Sequence, residues 1–417
     1  MNPRTQQSNF GRDLSRQLDG ADELPQGRVP VIGGGALLAV AVVLTALNLR
    51  PAVTSVAPLL GDMRADLGTS ATWAGLLTTL PTLCFAGAGL AAPVLSARIG
   101  TSRTIAVGLV ALAVGLGVRS LDGPYVVIGA TLLACAGIAL INVLIPVVIK
   151  GSFPARVGLM TGIYTAALQG GGALGSAVTP GLEQSFGNWR TALAVWSLVA
   201  VAALAVWIPA TMRHREPAPL ATPVAAEPRP SMLRSALAWQ VTLFLGAQGF
   251  LAYIVMGWLP QVFIDSGVSK VHAGMLVGLV SLVGVPVALV LLPLAARQAS
   301  QSAWIVGIGL FGMAGIIGVV IAPAAQPVLW SLLIGVGMGV FSMALAVIAL
   351  RSKDAEGTAR LSAMAQGFGY LIAGLGPFLF GLLHDVSSGW TMPWIMFLVV
   401  YVLQIVVGAL AGRERVV

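Results

Sequence analysis

The stretch Leu47-Asn48-Leu49-Arg50-Pro51-Ala52-Val53-Thr54-Ser55-Val56-Ala57-Pro58 sets a cation beside a helix-breaking proline, late in an apolar run from Val31 to Leu60. Arg50 is the only Lys, Arg, Asp or Glu that the sequence places in the interior of an apolar segment of spanning length rather than at its end. A guanidinium at membrane depth costs about 2.5–3.5 kcal/mol on insertion scales, so it normally faces a cavity or a partner. Pro51 cannot donate to the carbonyl of Leu47, and it biases Arg50 away from regular helix. A cation beside a gap in the hydrogen-bond ladder is a candidate site for an anion or a strongly polar group. The competing reading is an Arg that snorkels to the interface or ties down the loosened carbonyls.

Other polar residues in apolar segments are few. Asn48 shares the first segment, Asn142 lies in the fourth, and Tyr164 and Gln169 lie in the fifth. Gln248 and Tyr253 fall in the seventh, Ser281 in the eighth, Ser342 in the tenth, and Gln366 and Tyr370 in the eleventh. With Arg50 supplying a planar fork that matches two oxygens, Asn48, Asn142, Tyr164, Gln169, Gln248, Tyr253, Gln366 and Tyr370 form the candidate substrate-binding set. Gln366 and Tyr370 are four apart, hence on one helical face, while Tyr164 and Gln169 are five apart and only roughly so. Each amide or tyrosine also fits an inter-helix hydrogen bond worth about 0.6 kcal/mol in bilayers. Small neighbours tilt Gln169 and Ser342 toward helix packing.

Catalysis lacks its groups. An intramembrane hydrolase needs a pair of histidines, a pair of acids or an activated serine. The three histidines, His214, His272 and His384, are expected in loops, and no acid is expected within a span. Cys84 and Cys135 sit in apolar runs without metal-ligand spacing. The chain is read as a non-enzyme with no metal and no cofactor.

The elements that must position these residues follow from composition. Of 417 residues 57% are hydrophobic and 9% charged, with a mean hydropathy of +0.91. Soluble domains carry about 25% charge, so the chain is all-α and integral to the membrane. Apolar segments of spanning length are expected at 31–58, 70–96, 103–119, 124–149, 157–180, 189–211, 235–260, 271–296, 302–322, 327–350, 359–383 and 391–411. The 51 glycines fit helices that approach closely in lipid. Some thirty polar residues precede the first apolar run, so no secretory signal peptide is expected. The net charge of +8 is not a nucleic-acid signature, because 18 of the 23 Lys and Arg fall on one side of the twelve segments. By the positive-inside rule, that side is cytoplasmic and holds both termini.

Residues 1–30 read as a cytoplasmic tail, 31–212 as a six-helix bundle, 213–233 as a Pro- and Ala-rich cytoplasmic linker, 234–412 as a second six-helix bundle, and 413–417 as a short cytoplasmic tail. The halves echo each other. Asp66-Leu67-Gly68-Thr69-Ser70 leading to Ala74-Gly75 recurs 199 residues later as Asp265-Ser266-Gly267-Val268-Ser269 leading to Ala273-Gly274. Ala97-Arg98 matches Ala296-Arg297 at the same offset, and Trp189 matches Trp390 at 201. Three matches in order at nearly one spacing predict parallel six-helix repeats with substrate between them near the midplane.

Twelve spans in two pseudo-symmetric halves resemble the major facilitator superfamily. Asn48-Leu49-Arg50-Pro51 and Thr54-Ser55-Val56-Ala57-Pro58 resemble its cyanate/nitroimidazole porter family (CynX/NimT type). So do Asn142-Val143-Leu144-Ile145-Pro146, Gly162-Ile163-Tyr164-Thr165-Ala166, Trp258-Leu259-Pro260 and Ala365-Gln366-Gly367-Phe368-Gly369-Tyr370. The superfamily's loop after the second span usually carries Asp before Arg-x-Gly, but here Ala97 precedes Arg98-Ile99-Gly100, so an ion pair through that Asp is missing. The resemblance implies a secondary transporter of the bacterial inner membrane working by alternating access. Its substrates would be cyanate-like anions, small carboxylates or nitroimidazole-like heteroaromatics. Its partners are expected to be the small solute and the lipid bilayer, with no nucleic acid, and it is expected to be a monomer. The alternatives are a drug/proton antiporter of small aromatic compounds and a substrate-sensing membrane receptor.

Overall fold

In lipid a backbone must satisfy its polar groups internally, and only helices and closed barrels do so. A computed structural model describes residues 35–212, 232–353 and 355–416, and these form helices and turns with no strand. The expected tail at 1–30 and most of the expected linker lie outside the described residues.

Twelve helical columns follow one another among the described residues. The first is broken: Ala36–Leu49, Pro51–Thr54, a 3-10 turn at Ala57–Leu59, then Leu60–Leu67. The next five are Ala71–Ile99, Thr101–Val118, Pro124–Ser152, Val157–Phe186 and Trp189–Met212. The seventh to ninth are Ala236–Asp265, Lys270–Ala296 and Ser302–Ile321. The tenth is broken at Gly339 into Pro327–Met338 and Val340–Leu350, and Ala355–Ser387 and Thr391–Ala411 complete the set. By length and composition 11 of these could cross a membrane. The fifth falls short on hydropathy because it carries the glycine run Gly170-Gly171-Gly172 together with Tyr164, Gln169 and Glu183.

Several helices outrun their expected ends. The fifth passes through Pro180 and the seventh through Pro260, since a helix supported by neighbours in lipid tolerates one missing donor. Asp62, Asp66, Glu183, Asp265 and Asp385 therefore sit on terminal helical turns. His272 and His384 also lie on helices rather than in loops, which corrects the sequence expectation; His214 lies outside the described residues.

With an even number of antiparallel columns, the start of the first and the end of the last share one end of the bundle, here called the termini end. There Ser302 Oγ donates to Ala409 O at 2.6 Å and Trp207 Nε1 to Ser102 O at 3.0 Å. The opposite, distal end displays the repeat. Trp189 Nε1 donates to Asp66 Oδ2 at 3.0 Å, and Trp390 Nε1 donates to Asp265 Oδ2 at 3.2 Å. Gly68 and Gly267 both adopt positive φ, 61° and 91°, ending the columns that those aspartates close. Ser70 and Ser269 then cap the next helices, accepting from the backbone N–H of Trp73 and His272. One fold unit is thus written twice.

The first six columns meet the last six along the second against the eleventh and the fifth against the eighth. Glycines permit the approach: a Cβ on Gly75 would lie 2.6 Å from Pro377 O, and one on Gly274 would lie 3.0 Å from Pro180 Cγ. Nearer the distal end the contact turns polar. The Asp385 carboxylate accepts Ala71 N–H at 3.0 Å, Thr72 N–H at 2.6 Å and Thr72 Oγ1 at 2.6 Å, capping the second span from the other half. Lys270 bridges Asp62 at 2.6 Å and Glu183 at 3.2 Å. Gly35–Val417 holds together as one unit through these seams.

Candidate functional site

The break in the first span is built from its sequence. Val53 N and Thr54 N both donate to Arg50 O at 3.0 Å, and Val56 N donates to Val53 O at 3.4 Å, so the ladder slips from four-residue to three-residue steps. Thr54 Oγ1 ties the segment to Gly172 O at 2.8 Å. The fifth span supplies a glycine bed beneath it: a Cβ on Gly172 would meet the Arg50 side chain at 3.3 Å, and one on Gly175 would lie 2.7 Å from Pro51 Cα. Gly171, Gly172 and Gly175 together form the surface on which the break rests.

Arg50 projects half-buried into a cavity of about 650 Å³ between the two sets of six. Its walls are Leu49, Val53 and Thr54 of the first span, Pro81, Phe85 and Ala86 of the second, Asn142 and Val143 of the fourth and Leu168 of the fifth. The other half contributes Tyr253 and Met256, Phe341, and Ser362, Ala363, Gln366, Gly367 and Tyr370. These positions run from mid-depth toward the termini end, while Thr79 on Gly374, Gly75 on Pro377 and the Lys270 bridges close the space beyond them. The guanidinium Nη1 reaches Met256 Sδ at 3.5 Å. Ion pairs among the described residues lie at the distal end, where Arg190 holds Asp66 and Asp122 and Lys270 holds Asp62 and Glu183, so no carboxylate there balances Arg50.

Of the candidate set, Arg50, Asn142, Tyr253, Gln366 and Tyr370 line one cavity. Tyr164 stands behind it, its hydroxyl donating to Asn142 Oδ1 at 2.8 Å. Gln366 Nε2 donates to Ser362 Oγ at 2.7 Å, and the Tyr370 ring lies 5.7 Å from that of Phe85. Three candidates are turned elsewhere. Asn48 is 2% exposed and donates to Leu44 O and Val199 O at 2.8 and 3.2 Å, joining the first span to the sixth. Gln169 donates to Ser281 O at 3.3 Å, a contact between halves. Gln248 is buried away from the cavity with Nε2 unpartnered.

Arg119 corrects the expectation of a single cation within the helical body. The last residue of the expected third segment, it caps the third span at 0% exposure, and Nη1 donates to Ala52 O at 2.7 Å. The signal was present in the sequence: Leu109, Leu112, Leu116 and Arg119 continue one buried helical stripe. Phe85, Met256 and Phe341 were also missed, because an apolar residue in an apolar span carries no mark of the cavity it faces.

A bundle of twelve apolar helices, made of two six-helix repeats around an internal cavity, defines a polytopic membrane transporter. The chain belongs to the Major Facilitator Superfamily, whose family model matches residues 37–377. It is 37% identical to a 2-nitroimidazole transporter of Escherichia coli over 91% of this chain and 96% of that one. It is 34% identical to the cyanate transport protein CynX of the same organism, over 84% and 91%. A bacterial homologue of the lysosomal transporter Spinster, solved inward-facing and occupied, superposes with a TM-score of 0.73 at 15% identity over 91% of this chain and 96% of that one.

Proposed function

We propose that this transporter moves a small polar or monoanionic solute by alternating access, as a monomer in the bacterial cytoplasmic membrane, with Arg50 as the substrate anchor. One observation carries the reading: a guanidinium at a cavity wall, at mid-depth, with Met256 Sδ as its near polar contact and no carboxylate beside it among the described residues. Such a charge is costly to bury unpaired, and a two-oxygen ligand removes that cost while using the fork bidentately. Asn142, Tyr253, Gln366 and Tyr370 then supply hydrogen bonds to the rest of the solute. Cytoplasmic termini are supported by the basic residues Arg98, Arg103, Lys150, Arg156, Arg297, Lys353, Arg413 and Arg415 at the termini end.

The relatives' names bracket the substrate. A cavity of about 650 Å³ is far larger than a three-atom anion fills and lies in the usual range for small organic ligands. Aromatic walls at Phe85, Tyr253, Phe341 and Tyr370 favour a planar ring carrying a nitro or carboxylate group over cyanate itself. The same walls suit the alternative of a small-aromatic antiporter, but no acid among the described residues lines the cavity to carry its proton.

The test is a thermal-shift screen of purified protein with small anions, aryl carboxylates and nitroheterocycles, followed by uptake into proteoliposomes. A binder stabilises as RT ln(1 + [L]/Kd). Arg50→Ala is expected to abolish the shift and the uptake while leaving a folded protein. Normal transport by Arg50→Ala would overturn the anchor, and binding without uptake would make the chain a receptor.

A further inference from the structure

We propose that Arg119 is a positioning residue for Arg50: its buried guanidinium takes the carbonyl of Ala52 and so fixes the broken segment that holds the anchor at the cavity wall. The proposal rests on the reading of Arg50 as anchor.

Where Val56 N donates to Val53 O, the carbonyl of Ala52, two residues past Arg50, receives no backbone donor among the described bonds. Arg119 Nη1 meets it at 2.7 Å from the end of the third span. The rest of the guanidinium is nearly idle, since Nε and Nη2 are buried without a partner. Burying a cation for one hydrogen bond is an expensive way to cap a carbonyl, and a neutral donor would serve a purely structural need.

The second repeat acts as an internal control. At the 199-residue offset Arg50 corresponds to Gly249 and Arg119 to Gly318. The seventh span, counterpart of the first, runs unbroken from Ala236 to Asp265. At these equivalent positions the break, the anchor and the buried arginine are all missing from the second repeat, whose own buried arginine, Arg351, and whose break at Gly339 lie elsewhere in it. The reach of Arg119 across 67 residues of sequence is thus tied to the segment that carries Arg50 rather than to the fold that the repeats share.

The variant Arg119→Met keeps the length and removes the donor; Arg119→Lys keeps charge and a donor. Hydrogen exchange of the amides at 52–57 is measured without ligand, alongside the concentration dependence of counterflow in proteoliposomes. In Arg119→Met those amides should exchange about tenfold faster, with the last six spans unchanged. The half-saturating substrate concentration should rise about tenfold while the maximal rate per folded protein stays within about twofold. Arg119→Lys should recover most of both. A merely structural role would lower the maximal rate by reducing the active fraction and leave half-saturation alone, which overturns the proposal, as does unchanged exchange in Arg119→Met. Should Arg119→Met not purify as a monodisperse species, Arg119→Leu, which likewise lacks a donor, is read on the same two scales with the same expected and overturning results. Because exchange is read without ligand, failure of the clamp is separable from failure of the anchor, which Arg50→Ala reports.

Discussion

Asn142 is held by a neighbour rather than free to turn. The Tyr164 hydroxyl donates to its Oδ1, which fixes the amide and leaves its Nδ2 edge for the cavity. Tyr370 and Tyr253 offer hydroxyls to the same space from the opposite half. Tyr164→Phe should then act through Asn142 and Tyr370→Phe directly, each weakening binding by about 0.5–1.5 kcal/mol as a neutral hydrogen bond is lost. Titration of the ligand-induced thermal shift measures both. A double variant no worse than the poorer single would show that they act on one ligand, and unchanged affinity in both singles would remove the tyrosines from the site. Arg50→Lys keeps the charge but not the fork, so it should bind more weakly than the parent and better than Arg50→Ala.

Elements decide which of these residues could be found from sequence. Period and charge fixed twelve spans, and the repeat was legible because Asp66 and Trp189 close one column as Asp265 and Trp390 close the other. Faces were less legible. Asn48 stands two positions before Arg50, about 200° round the helix, so the two cannot share a wall. Gln248 is five positions from Tyr253 and turns inward to its own bundle, whereas Met256, three positions on, joins the cavity. The glycine bed of the fifth span gives a paired test of such packing. Gly175→Ala would set a Cβ 2.7 Å from Pro51 Cα, backbone that cannot yield, and should destabilise the protein by about 1–3 kcal/mol. Gly170→Ala meets nothing within 4 Å and should be neutral or slightly stabilising. Thermal unfolding in detergent compares them; equal effects would mean the break does not lie on that surface.

The whole molecule is latched distally, and among the described residues its cavity is lined by no carboxylate or imidazole; together these bear on how it is driven. Asp385 caps the second span from the other half, so Asp385→Asn should weaken distal closure by about 0.5–2 kcal/mol and enrich the distally open state. Spin labels at Tyr125 and Ser388 would read that as a longer distance; coincident distributions would show that the carboxylate does not hold the gate. Asp62, Asp66, Glu183, Asp265 and Asp385 are partnered at this end, and among the described residues no Asp, Glu or His lines the cavity. Tyr and Arg titrate too high to carry a proton at neutral pH. A monoanion moving inward against an inside-negative potential costs about 2.3 kcal/mol per 100 mV. Net import then needs a co-moving cation, an internal anion in exchange, or a proton carried by the substrate as its weak acid. Exchange asks least of the residues present, because a return step with the site empty leaves Arg50 unpaired while an occupied one does not. Counterflow in proteoliposomes is therefore expected to run much faster than net uptake and to respond little to an imposed pH gradient. Rapid uptake of a permanently charged anion driven by a pH gradient would contradict this and require a proton site outside the cavity, for which the distal acids would be the first to mutate.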